Sequence, residues 1–336
     1  MTPLSTNNAA PDSLLAERFE QVRVACAAHT GPISHIAPCI GGNVSHVFRV
    51  HGPQGSVIVK LRGDRFAQIP ELTTDPALIA VEHRALILFH QQLPTRFPTV
   101  LAFLPQQHAL VMTDVFPDHR NWRDHLDRRP ATPSETARLG RALAQVHHAA
   151  AQISEPLRPA DGDDLFRAHT FDFCLRASGH PALDNACHAL DQFPGHQLVL
   201  GDASPKNMSL AGDTVVFVDL DNVHRNAPLY DLGYLLAHLL LHHLARPRRV
   251  PALASVLLDA YSSTRLATTP WRRDQLLAAV AAGVLLYRID AHVVPYPATA
   301  PPQDYHRLRA RLLALLDSGP FTVPDLLHAV TDRNRR

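Results

Sequence analysis

The residues best suited to chemistry lie between positions 201 and 221. The segment from Gly201 reads Gly-Asp-Ala-Ser-Pro-Lys-Asn, so that an amide follows Asp202 by five positions, and an apolar run ends at Asp219. A carboxylate can orient a hydroxyl and accept its proton, while an amide oxygen and a second carboxylate can hold a divalent metal at phosphate oxygens. The spacing therefore predicts a phosphoryl-transfer site with Asp202 as the base and Asn207 and Asp219 as Mg²⁺ ligands.

Lysine is rare in this chain, which contains only Lys60 and Lys206 although Lys and Arg together number 32. A compact ammonium suits phosphate oxygens as a point charge, whereas a guanidinium favours bidentate geometry. Lys60 ends the apolar run that begins at Val57, as a strand lysine would, and Glu82 in the next helix is its expected partner. The alternative for Lys60 is an exposed position on an edge strand.

A glycine turn precedes Lys60 between two predicted strands. Backbone N–H groups in such a turn can approach phosphate oxygens closely because glycine lacks a Cβ. The expected nucleotide contacts here are Gly41, Gly42, Asn43 and Ser45. Met112 in the last predicted strand of this region is a further expected nucleotide contact.

The stretch from Leu200 to Leu244 resembles the aminoglycoside phosphotransferase superfamily, which includes choline kinases and methylthioribose kinase. The resemblance rests on Gly-Asp-x-Ser-Pro-Lys-Asn, then Val-Asp-Leu-Asp, then Tyr-Asp-Leu-Gly from Tyr230. It implies a two-lobed fold similar to that of protein kinases, with ATP bound in the cleft. It also implies that Asp231 supports the catalytic loop. The family usually has histidine where this chain has Leu200, which removes a hydrogen-bonding support but no reacting group.

Two residues of this region have open interpretations. Lys206 either reaches a γ-phosphate oxygen or pairs with a nearby acid. Asp221 either holds a second metal through water or caps a turn, since additional carboxylates in such sites also support the first ligands.

Composition limits the other classes of function. The net charge of +1 and the pI near 7.9 predict no nucleic-acid partner, and the apolar runs are too short to span a membrane. The four cysteines form no Cys-x-x-Cys pair, which favours free thiols and a cytoplasmic location. The protein is expected to be a monomer or homodimer. His238 and His242 stand at helical spacing without a following glutamate, so we interpret them, like His147 and His148, as helix-surface or core-edge residues rather than zinc ligands.

The order of elements predicts an α+β, protein-kinase-like fold with two lobes. Residues 1–12 are expected to be a disordered tail, 13–114 an N-terminal lobe and 115–336 a mostly helical C-terminal lobe. The N-terminal lobe should contain a helix at 14–28, a helix at 76–93 and a five-stranded antiparallel sheet with strands at 36–40, 44–50, 57–61, 99–103 and 110–114. In the C-terminal lobe, a helix is expected at 135–152 and only one strand pair, at 208–210 and 215–218.

The acceptor is expected to be a hydroxylated small molecule of the aminoglycoside, sugar, thioribose or amino-alcohol type, enclosed by the helical lobe. Aspartates at 161–191 that could meet a polycation alternate with arginines, so their balance does not decide the substrate. Candidate acceptor contacts are Asp172, Arg176, Arg288 and Asp290. The alternative for Arg288 and Asp290 is pairing with neighbouring helices.

The sequence as a whole predicts an ATP- and Mg²⁺-dependent small-molecule kinase. One alternative is a nucleotide-binding pseudokinase, although the predicted base and metal ligands are all present. A second alternative is transfer of AMP or phosphate to protein side chains, which the absence of a recognisable activation segment disfavours.

Overall fold

The computed structural model describes residues 13–39, 42–116, 120–158, 167–168, 170–265, 274–290, 296 and 299–332. Two compact units divide the chain: one comprises residues up to His83 together with Thr99–Asp114, and the other comprises Arg84–Pro98 and the residues from Val115 onward. Residues 84–98, which the sequence placed in the N-terminal lobe, thus group with the second unit. The fold is α+β, as predicted. The predicted tail at 1–12 lies outside the described residues.

The first unit contains a five-stranded antiparallel sheet in the order β1-β2-β3-β5-β4. Its strands are β1 (His35–Pro38), β2 (His46–Gly52), β3 (Gly55–Leu61), β4 (Val100–Leu104) and β5 (Ala109–Thr113). All five were predicted, with small shifts at their ends. Because β3 pairs with both β2 and β5, Lys60 is not on an edge strand.

Helix α1 (Ser13–Thr30) covers one face of this sheet. Side chains of α1 and of the strands form an apolar cluster of Val22, Cys26, Val50, Val57, Val59, Leu61, Ala109 and Val111. Successive side chains of a strand point to opposite faces, so Lys60 lies on the face opposite this cluster. The contact is close: a Cβ at Gly52 would lie 2.3 Å from the Thr30 carbonyl oxygen.

Helix α2 (Ile79–Gln92) follows a 3₁₀ turn at Pro76–Leu78, in agreement with the predicted helix at 76–93. Asp75 starts the turn because its carboxylate accepts a hydrogen bond from the Ala77 amide at 2.9 Å. Glu82 therefore lies in the first turn of a well-defined helix.

The second unit is mainly helical. Its labelled helices are α3 (Trp122–Arg128), α4 (Pro133–Ala150), α5 (Pro181–Asp191), α6 (Leu229–Leu241), α7 (Val250–Arg265), α8 (Asp274–Asp290), α9 (Pro302–Asp317) and α10 (Val323–Thr331). Helix α4 begins with a capping box between Thr132 and Glu135. It packs against α7, and α6 packs against α8. None of the helices in the described ranges has the length and apolarity needed to cross a membrane.

Two short ladders interrupt these helices. The predicted pair is β7 (Met208–Ala211) with β8 (Thr214–Phe217), and a second pair joins β6 (Gln197–Val199) to β9 (His224–Asn226). The prediction of a single pair was wrong because three-residue strands are too short to show an alternating pattern.

Candidate active site

In the first unit, Lys60 and Glu82 form a buried ion pair. Lys60 Nζ lies 2.7 Å from Glu82 Oε2, and the two side chains are only 6% and 1% exposed. The central strand β3 supplies the lysine and the first turn of α2 supplies the carboxylate. The pairing expected from the sequence is therefore present, and it fixes the lysine ammonium in one place.

The glycine turn is described from Gly42 onward, and Gly41 lies outside the described residues. Backbone amides of Gln68 and Ala67 donate hydrogen bonds to the carbonyls of Asn43 (3.1 Å) and Val44 (3.2 Å), which hold the turn. Ser45 is buried, and its hydroxyl has no hydrogen-bond partner among the described residues. Met112 is buried in β5, opposite Ile58 of β3.

In the second unit, the loop that carries Asp202 connects β6 to the 3₁₀ turn Pro205–Asn207. Gly201 has φ +75°, and a Cβ there would lie 2.1 Å from the Asn222 carbonyl oxygen, so only glycine fits. Asn207 Nδ2 donates to the Asp202 carbonyl oxygen at 3.1 Å, which directs the amide oxygen of Asn207 elsewhere. These constraints fix the relative positions of Asp202 and Asn207.

The Asp202 carboxylate is buried among cations. Lys206 Nζ lies 3.4 Å from its Oδ2 and Arg288 Nη2 lies 3.7 Å from its Oδ1. Burial opposes ionisation, but Lys206, Arg288 and the nearby hydroxyls of Ser204 and Tyr234 outweigh it, and the pKa of Asp202 lies below its usual value. Oδ1 accepts no hydrogen bond from the described residues. Asp202 is thus an ionised acceptor with a vacant lone pair.

Asp219 follows β8 and has φ +64°, one of two described non-glycine residues with positive φ. Such backbone strain often occurs at functional sites. The Val218 amide donates to the Asn207 carbonyl oxygen at 3.0 Å, which ties the segment before Asp219 to the loop. Lys206 Nζ lies 3.9 Å from Asp219 Oδ2, so this lysine pairs with acids on both sides. Asp221 lies in the 3₁₀ turn Leu220–Asn222 and is partly exposed.

A buried network behind the loop was only partly anticipated. Asp231, the predicted support, accepts hydrogen bonds from the amides of Leu200 (2.6 Å) and Gly201 (2.9 Å). Its Oδ2 also lies 3.0 Å from His147 Nε2, and His147 Nδ1 lies 2.7 Å from the Tyr261 hydroxyl. The interpretation of His147 as a surface or core-edge residue was wrong, because its side chain is fully buried. The sequence did contain a signal for this network, because His147 lies on the apolar side of α4, where it should be buried. A buried histidine needs hydrogen-bond partners.

The four candidate acceptor contacts do not share partners in the structure. Arg288 lies beside Asp202, as described above, whereas Asp290 pairs with Arg309 Nε at 2.7 Å. Asp172 and Arg176 form a largely exposed pair at 2.9 Å, and Arg176 also approaches Asp184 at 3.3 Å. Of the four, Arg288 alone has a described contact with the predicted base.

A model of the phosphotransferase enzyme family, abbreviated APH, matches residues 35–277. The chain therefore belongs to this family, and the protein is a phosphotransferase. A search of curated proteins found no match.

Solved structures show the same fold at low sequence identity. Amicoumacin kinase hAmiN, in complex with AMP-PNP, Ca²⁺ and Ami, is 14% identical with a TM-score of 0.56, covering 93% of this chain and 96% of that one. A choline/ethanolamine kinase family protein from Mesorhizobium loti is 20% identical with a TM-score of 0.52, covering 94% and 99%. An aminoglycoside phosphotransferase from Alicyclobacillus acidocaldarius is 15% identical with a TM-score of 0.53, covering 94% and 98%.

Proposed function

We propose that the protein transfers the γ-phosphate of ATP to a hydroxyl group of a small molecule, with Mg²⁺ as cofactor. The observation that carries the proposal is the buried, ionised Asp202, which lies on the same loop as Asn207 and whose Oδ1 accepts no hydrogen bond from any described residue. In this reaction the acceptor oxygen bonds to the γ-phosphorus as the bond from phosphorus to the β-phosphate oxygen breaks. The hydroxyl proton passes to Asp202, and ADP leaves.

The donor set of the second unit fits magnesium. Asn207, Asp219 and Asp221 would hold it through one amide oxygen and carboxylate oxygens, which are the hard ligands that Mg²⁺ prefers. When bound, the metal would neutralise charge on the transferring phosphate. Lys206 now pairs with Asp202 and Asp219, and a phosphate oxygen would compete for its ammonium.

The nucleotide function of the first unit rests on Lys60. A buried ion pair seldom adds stability, because removing two charges from water costs about as much as their attraction returns. The Lys60–Glu82 pair is therefore better explained by a ligand than by folding, and we assign it to the α- and β-phosphates of ATP, with Gly42, Asn43, Ser45 and Met112 as further contacts. The complex of amicoumacin kinase with AMP-PNP and Ca²⁺ supports a nucleotide and a divalent metal.

The presence of all catalytic groups favours an enzyme over a pseudokinase. Asp202, Asn207 and Asp219 are retained, and the first two are positioned by hydrogen bonds and backbone geometry. The acceptors named for the structural relatives are small molecules, which supports a small-molecule acceptor rather than a protein side chain.

The test is calorimetry of AMP-PNP with Mg²⁺, followed by phosphate transfer from ATP to a panel of amino alcohols, sugars, hydroxy acids and aminoglycosides, detected by phosphorus NMR. We expect metal-dependent nucleotide binding and a phosphorylated product. Asp219→Asn should raise the Mg²⁺ concentration that nucleotide binding requires. Asp213→Asn, which changes a fully exposed acid, should leave that concentration unchanged. Failure of the wild-type protein to bind nucleotide with Mg²⁺ would refute the proposal.

A further inference from the structure

Arg288 lies next to the predicted base in surroundings that are unusual for a structural arginine. It belongs to α8 and is buried, with Nη2 3.7 Å from Asp202 Oδ1. Nη2 donates to the Tyr234 hydroxyl and Nε donates to His238 Nε2 at 3.3 Å. Burial and the neighbouring guanidinium hold the pKa of His238 well below its usual value, so the imidazole accepts as a neutral ring.

Three tyrosine rings surround the guanidinium. Its central carbon lies 4.7 Å from the ring centre of Tyr287, 4.9 Å from that of Tyr296 and 5.6 Å from that of Tyr234. Aromatic faces attract a cation and keep the guanidinium plane in place. They carry no formal charge, however, so they leave the positive charge of Arg288 uncompensated.

The carboxylates do not compensate this charge fully either. Among the described residues, Asp202 is the carboxylate within salt-bridge distance of Arg288, at a separation too long for a hydrogen bond, and it also pairs with Lys206 at 3.4 Å. Arg123 adds another cation, 5.2 Å from the ring centre of Tyr296. Neither hydrogen of Arg288 Nη1 has an acceptor in the described part of the chain. A buried guanidinium with unused donors is a binding group for an anion.

These charges argue against a polycationic acceptor. An ammonium group beside Asp202 would also lie close to Arg288, and like charges repel strongly in a buried site. The described aspartates that could attract a polycation already have arginine partners: Asp172 and Asp184 share Arg176, and Asp191 pairs with Arg167 at 2.9 Å. These two guanidinium groups offset most, but not all, of the charge of the three carboxylates.

We propose that the acceptor is an anionic hydroxylated small molecule whose carboxylate or phosphate group binds the Arg288 guanidinium while its hydroxyl faces Asp202. This inference rests on the proposed phosphotransferase function and specifies the substrate class of the same site. The anionic group takes no part in bond making, so it serves to orient the hydroxyl and to complete the charge balance around Arg288.

The experiment compares matched acceptors on protein saturated with AMP-PNP and Mg²⁺. One series is glycerol, glycerate, glycerol phosphate and aminopropanediol, and a second is ribose and ribose phosphate. Thermal shift and calorimetry should show that an anionic member of each series binds more tightly than its neutral and cationic counterparts. Preference for glycerate or for a phosphate ester then identifies the anion as a carboxylate or a phosphate.

Variants at Arg288 separate an acceptor contact from a role confined to Asp202. Arg288→Gln should weaken the preferred anion at least about tenfold, as loss of a charged hydrogen bond predicts, and Arg288→Lys should recover part of that affinity. Arg307→Gln, which removes an exposed arginine, is the control. An arginine that acted only on Asp202 would change kcat and its pH profile while leaving the Kd of the anion unchanged, and that result would overturn the inference.

Two further outcomes overturn the inference without any variant. One is that the wild-type protein binds a neutral or cationic member most tightly. The other is that it binds none of the anionic members. Both are informative even if Arg288→Gln does not fold. Nucleotide binding measured in the same samples distinguishes these outcomes from failure of the proposed function, which would abolish the AMP-PNP signal itself.

Discussion

The two lysines of the chain form different kinds of ion pair in their respective units. Lys60 has a 2.7 Å contact with Glu82, and both side chains are buried. Lys206 lies between two carboxylates, 3.4 Å from Asp202 and 3.9 Å from Asp219, and 17% of its side chain is exposed. A short pair holds its ammonium in place, whereas a longer, shared pair is readily exchanged for a ligand. The difference supports the proposal that Lys60 is preorganised for phosphate and that Lys206 changes partners when a ligand binds.

The largest effect should come from the carboxylate next to Lys206. Asp202→Asn removes the proposed proton acceptor but preserves size, so kcat should fall by roughly 10²- to 10⁴-fold. Nucleotide affinity should be retained because the variant leaves Lys60 and Glu82 intact. Steady-state kinetics on the identified acceptor and calorimetry with AMP-PNP measure the two quantities. Near-normal turnover would remove Asp202 from the role of base.

The second prediction tests the tight pair. Lys60→Met leaves the Glu82 carboxylate buried without its ammonium, which should lower the free energy of unfolding by about 3–5 kcal/mol and weaken ATP binding. The double variant Lys60→Met/Glu82→Leu should recover most of the stability but not the affinity, since no charge remains to bind phosphate. Denaturant unfolding and calorimetry separate the two effects. Recovery of ATP affinity in the double variant would show that the pair serves only the fold.

The third prediction tests the shared pair through pH. Lys206 helps to hold the pKa of Asp202 below its usual value, so Lys206→Met should raise that pKa. The base must be ionised to act, and activity is lost as pH falls through its pKa; the acid limb of kcat/KM should therefore move to higher pH. Arg128→Met, which removes an exposed charge, should leave the limb in place. An unchanged limb in Lys206→Met would mean that Arg288 and the hydroxyls of Ser204 and Tyr234 hold the pKa of Asp202 down without Lys206.

The sequence predicts the parts of the site whose residues are close along the chain. Asp202, Asn207 and Asp219 share one loop and hairpin, and Lys60 and Glu82 follow the order of strand and helix. The contact between His147 and Asp231 joins positions 84 apart, and that between Asp202 and Arg288 joins α8 to the loop. Such contacts depend on helix packing, which the local spacing of residues does not reveal. Strands β6 and β9 were missed for another reason, because three residues are too few to show an alternating pattern.

The last prediction, which has the smallest expected effect, tests the buried network of Tyr261, His147 and Asp231 behind the loop that carries Asp202. Tyr261→Phe removes the hydroxyl 2.7 Å from His147 Nδ1, at a cost of about 1 kcal/mol in unfolding free energy. His147 should then hold Asp231 less firmly, and because Asp231 binds the amides of Leu200 and Gly201, kcat should fall by a few-fold with little change in nucleotide affinity. The matched control is Tyr305→Phe, which removes a hydroxyl that contacts Thr299 in the same unit. Both variants should unfold at similarly lowered denaturant concentrations, but only Tyr261→Phe should slow turnover. Equal kcat in the two variants would assign the His147 network to stability alone, and the distance between Lys206 and Asp202 would then be set by the loop itself.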